Sequence, residues 1–287
     1  MKLKLKTIAL FFLVGITFPL LAQNKGKLFI IGGGDRPVYM MEKYIELAGG
    51  KDSRFIVIPM ASSEPLESAD YMVKELKELG CKNVDFIYCN KENADIKENL
   101  AKLDKVTGVY FCGGDQALLT AALLGTKVLD KIKDVYRNGG VVGGTSAGAA
   151  VMSKIMLTGN EWINKDTINL FTFIKRKNVE TIEGFGFIQN AIIDQHFITR
   201  KRLNRLISVV LENPALPGIG IDEATAIIFN PDNTFEVFGE NTVLIFDATE
   251  ARDIMTDKNN NLSAADLKMH LLKSGDVFDL KSKKKIN

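Results

Sequence analysis

One serine in the sequence lies where a nucleophile is expected. Ser146 is the centre of a Gly-Thr-Ser-Ala-Gly turn at residues 144–148, between an apolar strand-like run and a run of small residues. Glycine on both sides permits the sharp strand-to-helix turn that projects a serine hydroxyl above a sheet. The N–H of Ala147, at the start of the predicted helix, is then placed to stabilise an oxyanion. The alternative is a turn that only packs a helix against a strand.

The chain contains only two histidines, so few side chains can accept the serine proton. His196 lies at the end of a predicted strand, residues 192–197, and precedes a basic helix predicted over residues 199–211. His270 lies in an apolar strand-like run, and we interpret it as structural. A serine nucleophile needs a neutral imidazole as its base. We therefore predict that His196 has this role.

An imidazole in this role needs a carboxylate that orients it and stabilises its protonated form. Glu223 is the best candidate, because it follows the apolar run at residues 218–221. Asp222 is a close rival, and the sequence does not decide which of the two carboxylates faces His196. Asp194 is a third candidate, but its position ahead of a helix favours a capping or substrate-binding role.

A second glycine-rich strand end, residues 113–116, offers another backbone donor. We predict that the N–H of Gly114 completes an oxyanion hole together with that of Ala147. The alternative is a plain turn before a helix that Asp115 caps.

Three arginines closely follow His196, at positions 200, 202 and 205. Such charges usually form a solvated helix face. Near a predicted base, the guanidinium groups of Arg200, Arg202 and Arg205 could instead hold a substrate carboxylate through charge-assisted, bidentate hydrogen bonds.

The elements that position these residues alternate along the chain. Apolar runs predict strands at residues 27–31, 54–59, 84–88, 108–111 and 141–142, with helices at 38–47 and 65–79. This alternation predicts an α/β fold: a mostly parallel sheet with helices on both faces. In such sheets the functional site lies at the carboxyl ends of the strands, where the glycine-rich turns are found. Short strands at residues 226–229, 234–238 and 243–246 predict a C-terminal antiparallel extension of the same sheet.

The first 22 residues have the layout of a signal peptide. Three lysines precede an apolar run at residues 8–21, and Ala22 offers a small residue before a cut at Gln23. The run is shorter than the roughly 20 residues that span a membrane, although an uncleaved anchor is the alternative. We expect an exported protein, periplasmic or extracellular, without membrane attachment after cleavage, and a single α/β domain over residues 23–287.

The composition and charge balance of the chain limit the classes of molecule that it is expected to bind. The 287 residues are 46% hydrophobic, and the formal net charge is +2. Removal of the three signal-peptide lysines from 37 basic residues leaves 34, against 35 acidic ones. This balance argues against a nucleic-acid partner. The three cysteines at positions 81, 89 and 112 are too few for a disulfide framework or a zinc site. Cys81 and Cys89 could pair, but we expect buried apolar side chains. No metal or cofactor is predicted, and Gly32-Gly33-Gly34 lacks the spacing of a nucleotide-binding loop.

Four blocks of sequence together resemble the cyanophycinases, which belong to the serine peptidase family that also contains the aspartyl dipeptidases. The blocks are residues 113–116, 143–149, 194–197 with the three following arginines, and 218–226. They occur in the order of that family, and the resemblance covers about residues 27–246.

The resemblance implies a fold related to class I glutamine amidotransferases. It also implies Ser146 as nucleophile, His196 as base and Glu223 as orienting acid. The residues that it places in a substrate pocket are Gln116, Asp194, Gln195, Arg200, Arg202 and Arg205. The implied substrate is cyanophycin, a polymer with a poly-aspartate backbone that bears arginine on each side-chain carboxyl. The implied products, formed through an acyl-enzyme, are β-aspartyl-arginine dipeptides.

One long segment, residues 158–183, matches no block that carries the resemblance. It lies between the predicted nucleophile and base, where a loop can line the cleft and alter specificity. The sequence therefore leaves two alternatives open: an aspartyl or isoaspartyl peptidase with another substrate, and a protein that binds acidic peptides without cutting them. It also leaves a homodimer open.

Overall fold

The computed structural model describes residues 26–163 and 171–287. The elements of its first half are β1 (Lys27–Ile31), α1 (Val38–Leu47), β2 (Arg54–Ile58), α2 (Pro65–Glu78), β3 (Asn83–Phe86), α3 (Lys97–Lys102), β4 (Gly108–Phe111), α4 (Gln116–Leu123), α5 (Lys127–Arg137), β5 (Val141–Thr145) and α6 (Ala147–Ala150). The second half contains β6 (Ile155–Glu161), β7 (Val179–Glu183), β8 (Ile192–Gln195), α7 (Leu203–Glu212), β9 (Gly218–Ile221), β10 (Thr225–Phe229), β11 (Thr234–Gly239), β12 (Val243–Asp247), β13 (Arg252–Thr256), β14 (Leu262–Ala265), β15 (Lys268–Leu272), β16 (Val277–Asp279) and β17 (Lys284–Lys285).

The larger sheet has the strand order β17-β16-β11-β10-β1-β5-β4-β2-β3. The neighbours in the run β1-β5-β4-β2-β3 pair in parallel. On the other side of β1, β10 pairs antiparallel with β1, and β11 pairs antiparallel with β10. The predicted α/β class is confirmed. Two of the three C-terminal strands also extend this sheet as predicted.

The third C-terminal strand, β12, does not extend the larger sheet. A smaller sheet has the order β15-β12-β9-β8-β6-β7, and β12 pairs there with β9 and β15. The expectation that residues 243–246 extend the main sheet is therefore wrong. The side chains of β12 are buried on both of its faces, and such a continuously apolar strand fits the interior of either sheet.

Both sheets contribute to one hydrophobic core. Ile30 of β1 and Val142 of β5 belong to the same buried cluster as Ile193 of β8 and Ile219 of β9. Because the strands meet through buried side chains, their carboxyl ends are held in fixed relative positions. The predicted single domain over residues 23–287 stays a prediction.

The basic helix after His196 begins later than predicted. Residues 197–201 form a turn in which the N–H of Arg200 donates to the carbonyl of His196 and that of Arg202 to Phe197, both at 2.9 Å. Lys201 has a φ of 54°, which is incompatible with a continuous helix. The helix α7 therefore starts at Leu203.

Cys81, Cys89 and Cys112 are free and buried in the structure, in agreement with the expectation of buried apolar side chains. In the described ranges, no group of three or more His, Cys, Asp or Glu residues could hold a metal ion. The predicted signal peptide, residues 1–22, lies outside the described residues. Within them, no helix is both long and apolar enough to cross a membrane.

Candidate active site

Ser146 sits at a strained turn between β5 and α6. Its backbone has a φ of 54° and a ψ of −110°, a region that non-glycine residues rarely occupy and that is often found at functional sites. A Cβ at Gly144 would lie 2.6 Å from the carbonyl oxygen of Gly148, and one at Gly148 would lie 2.3 Å from that of Phe111. Both flanking glycines are therefore required by close backbone approach.

His196 connects Ser146 to Glu223. Its Nε2 lies 2.9 Å from Ser146 Oγ, and its Nδ1 lies 2.5 Å from Glu223 Oε1. A carboxylate only accepts, so we assign the ring proton to Nδ1. Nε2 is then free to accept the proton of the serine hydroxyl.

Asp222, the rival acid, is occupied elsewhere. Its Oδ1 accepts the N–H of Ile198 at 3.1 Å and that of Thr199 at 3.0 Å. It thereby holds the turn that follows His196, while Glu223 contacts the ring. The second histidine, His270, lies on β15 and packs its ring against Phe278 at 5.0 Å between centroids.

The loop of three glycines after β1 holds His196 and the segment that carries Glu223 in place. The sequence did not reveal this role. The N–H of His196 donates to the carbonyl of Gly32 at 2.7 Å, and that of Ala224 donates to Gly33 at 2.9 Å. A Cβ at Gly33, whose φ is 115°, would lie 2.2 Å from His196 Cε1. The imidazole is thus packed directly on the glycine backbone. The available signal was the position of the loop at the same strand-end edge as the other motifs.

The surroundings of His196 favour its neutral form. Burial lowers the pKa of the imidazole below its usual value, and the positive charges of Arg200 and Arg202 lower it further. The hydrogen bond that His196 donates to Glu223 acts in the opposite direction and raises the pKa. A lowered pKa keeps the ring available as a base at neutral pH.

A pocket of about 220 Å³ opens beside Ser146. The residues that line it include five of the six predicted substrate-pocket residues: Gln116, Gln195, Arg200, Arg202 and Arg205. Gly114 and Asp115 also line it, together with Thr158, Gly159 and Asn160 from β6. These three β6 residues belong to the segment 158–183, which matched none of the four blocks that carry the resemblance. The sequence predicted only that a loop in this segment could line the cleft.

Asp194 is the predicted pocket residue that does not line the pocket. Only 1% of it is exposed, and it lies behind Arg205. Its Oδ2 accepts from Arg205 Nε at 2.8 Å, and its Oδ1 accepts from Arg205 Nη2. The structure thus places Asp194 as the partner that fixes Arg205, because a carboxylate matches the fork of a guanidinium.

Arg202 is held by Gln195. Its Nη1 donates to the Gln195 backbone carbonyl at 2.8 Å and to Gln195 Oε1 at 2.7 Å. Burial and the neighbouring Arg205 lower the pKa of Arg202 to about 9. Arg202 Nε and Arg205 Nη1 are buried and donate to no group in the described parts of the chain. The positive charges of Arg200, Arg202 and Arg205, which line this wall of the pocket, suit an anion such as a carboxylate.

Gln116 was expected to contact the substrate, but its side-chain amide is hydrogen-bonded to the backbone of β6. Its Nε2 donates to the carbonyls of Leu157 at 2.7 Å and Thr158 at 2.5 Å. It therefore ties the start of α4 to β6 while also lining the pocket.

Of the two predicted oxyanion donors, Ala147 directly follows Ser146 in the chain, and Gly114 lines the same pocket as Ser146. Ala147 is the first residue of α6, so its N–H has no acceptor within the helix. Gly114 has a φ of 135°, and a Cβ there would lie 1.9 Å from the carbonyl oxygen of Ala61. Asp115 caps α4 by accepting the N–H of Ala117 at 2.8 Å. This helix cap was part of the alternative interpretation of residues 113–116.

A serine on a strand-to-helix turn, within hydrogen-bond distance of a histidine that contacts a carboxylate, is the arrangement found in α/β serine hydrolases. The chain belongs to peptidase family S51, whose sequence model matches residues 28–237. It is therefore a serine-type peptidase.

Named relatives and solved structures agree with this assignment. A cyanophycinase from Synechococcus elongatus is 34% identical over 273 residues, which cover 90% of this chain and 80% of the relative. A cyanophycinase from Trichormus variabilis is 33% identical over 265 residues, with 90% and 86% covered. The crystal structure of a peptidase from an acI-B1 Actinobacterium shares the fold, with a TM-score of 0.65, 24% identity, and 90% of this chain and 98% of that chain covered. A putative peptidase E from Listeria monocytogenes matches with a TM-score of 0.51 and 18% identity, over 75% and 99% of the two chains.

Proposed function

We propose that this peptidase hydrolyses cyanophycin and releases β-aspartyl-arginine dipeptides through an acyl-enzyme on Ser146. The observation that carries the proposal is the contact chain from Ser146 to His196 to Glu223, which opens onto an arginine-lined pocket. The cyanophycinases that are about a third identical over most of their length support the substrate.

Acylation follows from the geometry of the three side chains. Ser146 Oγ attacks the scissile carbonyl while His196 Nε2 takes its proton, and Glu223 stabilises the imidazolium. The negative charge on the former carbonyl oxygen is stabilised by the N–H groups of Ala147 and Gly114. His196 then donates its proton to the leaving amine as the carbon–nitrogen bond breaks.

Deacylation uses the same groups. Water enters where the amine left, His196 removes a proton from it, and the resulting oxygen attacks the acyl carbon. When the carbon–oxygen bond to Ser146 breaks, His196 returns the proton to the serine oxygen.

The pocket chemistry fits one unit of the polymer. The arginine of each unit is joined through its α-amino group, so its α-carboxylate is free. That carboxylate matches the guanidinium groups of Arg200, Arg202 and Arg205, which line the pocket.

A paired digestion tests the substrate. Purified cyanophycin is incubated with the wild-type protein or with Ser146→Ala, and the products are identified by mass spectrometry. Release of β-aspartyl-arginine by the wild type alone is the expected result. No release by either protein would refute the substrate. Equal release by both would remove Ser146 from the mechanism.

A second candidate is an aspartyl or isoaspartyl peptidase with another substrate. It is favoured by the contribution of Thr158, Gly159 and Asn160 to the pocket, because these residues lie outside the blocks that carry the resemblance to cyanophycinases. A panel of α- and β-aspartyl peptides separates the two, since this candidate predicts faster cleavage of a panel peptide than of cyanophycin. If the wild type binds these peptides but cleaves none, the chain is the non-catalytic binding protein.

We also propose that the protein is exported, on the strength of the charged and apolar pattern of residues 1–22. Mass spectrometry of the protein recovered from a cell that expresses the full chain should give a mature N-terminus at Gln23. An N-terminus that retains the apolar run would contradict this.

A further inference from the structure

A second concave surface lies on the same edge of the molecule as the pocket. This groove, as we call it, has a volume of about 420 Å³. Its walls include Met60, Pro65, Tyr88, Lys91, Leu118 and Ala122. Tyr88 and Leu118 are 52% and 47% exposed, so large apolar surface faces solvent there.

The groove lies next to the loops that surround Ser146. Ser62 lines the groove, and its backbone nitrogen would lie 2.9 Å from a Cβ placed at Gly114, which lines the pocket. The N–H of Asp115 donates to the carbonyl of Ala61 at 2.7 Å. The two concavities are thus separated only by the packed loops that follow β2 and β4.

One helix forms a wall of both concavities. Gln116, at the start of α4, lines the pocket, whereas Ala122, near its end, lines the groove. At 3.6 residues per turn, Gln116 and Leu118, which also lines the groove, lie on nearly opposite sides of the first turn of α4, and a helix with its side chains is about 10–12 Å wide. An extended peptide crosses this width in three to four residues, at roughly 3.3–3.6 Å each. A polymer with one unit in the pocket therefore reaches the groove with a unit three to four positions further along, beyond the scissile bond.

The chemistry of the groove matches the arginyl arm of such a unit. Each arm carries a carboxylate, a three-carbon chain and a guanidinium. The ammonium of Lys91 has no ion-pair partner among the residues that the structure describes and can take the carboxylate. Leu118 and Met60 offer apolar contact to the carbon chain, and the Tyr88 ring offers a face to the guanidinium.

We propose that the groove is a distal subsite that binds the arginyl arm of a cyanophycin unit beyond the two units joined by the scissile bond. This inference rests on the proposed function. The subsite makes the enzyme prefer long polymer over the shortest cleavable fragment, which is two β-aspartyl-arginine units joined by one main-chain amide bond.

The test compares kcat/KM on purified cyanophycin with kcat/KM on that two-unit fragment. The variants are Tyr88→Ala, Leu118→Asp and Lys91→Glu. Controls are Leu271→Asp, which changes a 61% exposed leucine on β15, and Lys258→Glu, which reverses an exposed charge in the turn between β13 and β14. Thermal melts check that every variant is folded.

Each groove variant is expected to lower the ratio of polymer to fragment kcat/KM roughly three- to ten-fold, mainly through a higher KM on the polymer. The controls should leave the ratio unchanged. An unchanged ratio in all three folded groove variants, while the wild type cleaves both substrates, overturns the subsite but leaves the proposed function standing. If the wild type cleaves neither substrate, the proposed function fails and the subsite fails with it.

Discussion

At the scale of single residues, the site depends on a few contacts of high specificity. Ser146 is held in a strained conformation by its backbone N–H, which donates to the carbonyl of Ile31 at 3.1 Å. The strain is maintained because packed glycines surround the turn. A hydroxyl in this position needs only a base and a group that orients the base, and His196 and Glu223 are placed for these roles.

The choice between two neighbouring acids leads to the first prediction. Glu223→Gln should lower kcat roughly 10³- to 10⁴-fold, because an amide does not stabilise the imidazolium and can fix the wrong tautomer. Asp222→Asn should lower kcat much less and should mainly reduce thermal stability, since Asp222 holds the backbone of Ile198 and Thr199. Steady-state kinetics and thermal melts of both variants provide the measurement. A larger loss of kcat in Asp222→Asn would reverse the assignment.

The pH profile gives a second prediction. Burial and the charge of Arg200 lower the pKa of His196, and protonation of the imidazole stops catalysis. The acid limb of kcat/KM should therefore lie below the pH 6.5 of an ordinary histidine. In Arg200→Gln the pKa rises, so the acid limb should move to higher pH.

The matched control is Arg137→Gln, which removes an exposed charge from α5 and should leave the limb in place. The position of the limb is the readout, because loss of a pocket arginine also changes the absolute rate. A limb that stays fixed or moves to lower pH in Arg200→Gln would contradict the assigned electrostatics.

At the scale of elements, the loop between β1 and α1 supports the imidazole. Gly33→Ala would place a Cβ 2.2 Å from His196 Cε1. We expect activity to fall at least about 100-fold, because a displacement of about 1 Å can cost that much. Gly50→Ala is the control: its φ is 93°, and nothing lies within 4 Å of the added Cβ. Both variants bear the positive-φ cost of roughly 1–2 kcal/mol, but only Gly33→Ala should lose activity, which kinetics and melts on both would show.

The ion pair between β8 and α7 gives a prediction about stability. Asp194→Asn leaves Arg205 buried without a charged partner, and this should lower the free energy of unfolding by about 3–5 kcal/mol. Asp134→Asn breaks the exposed pair with Arg137 and should cost under about 1 kcal/mol. Chemical denaturation measures both. Equal small losses would show that the buried pair is not needed for stability.

Sequence reasoning reached the elements that have strong local signals. The parallel strands were recognisable because each is a short apolar run, and three of the five lead into a glycine-rich turn. Ser146 and His196 were recognisable because the turn is specific and histidine is rare in this chain. The role of Gly33 was missed because it arises from a contact distant in sequence. Likewise, only tertiary hydrogen bonds distinguish Glu223 from Asp222.

At the scale of the whole molecule, two sheets meet through one core, and the pocket opens where loops from both converge. The larger sheet supplies the turn of Ser146, and the smaller sheet supplies His196 at the end of β8. The sequence did not separate the two sheets, because strands buried on both faces have the same composition in either. The possible homodimer and the predicted export are properties of the whole protein that stay predictions.

The central claim is that Ser146 is a nucleophile that His196 activates, and covalent labelling tests it most directly. The wild type, Ser146→Ala and His196→Ala are incubated with a fluorophosphonate, and the modified residue is located by peptide mass spectrometry. We predict one label per wild-type chain, on Ser146, no label on Ser146→Ala, and labelling of His196→Ala that is slower by orders of magnitude. A label on another residue, or equal labelling rates for the wild type and His196→Ala, would contradict the claim.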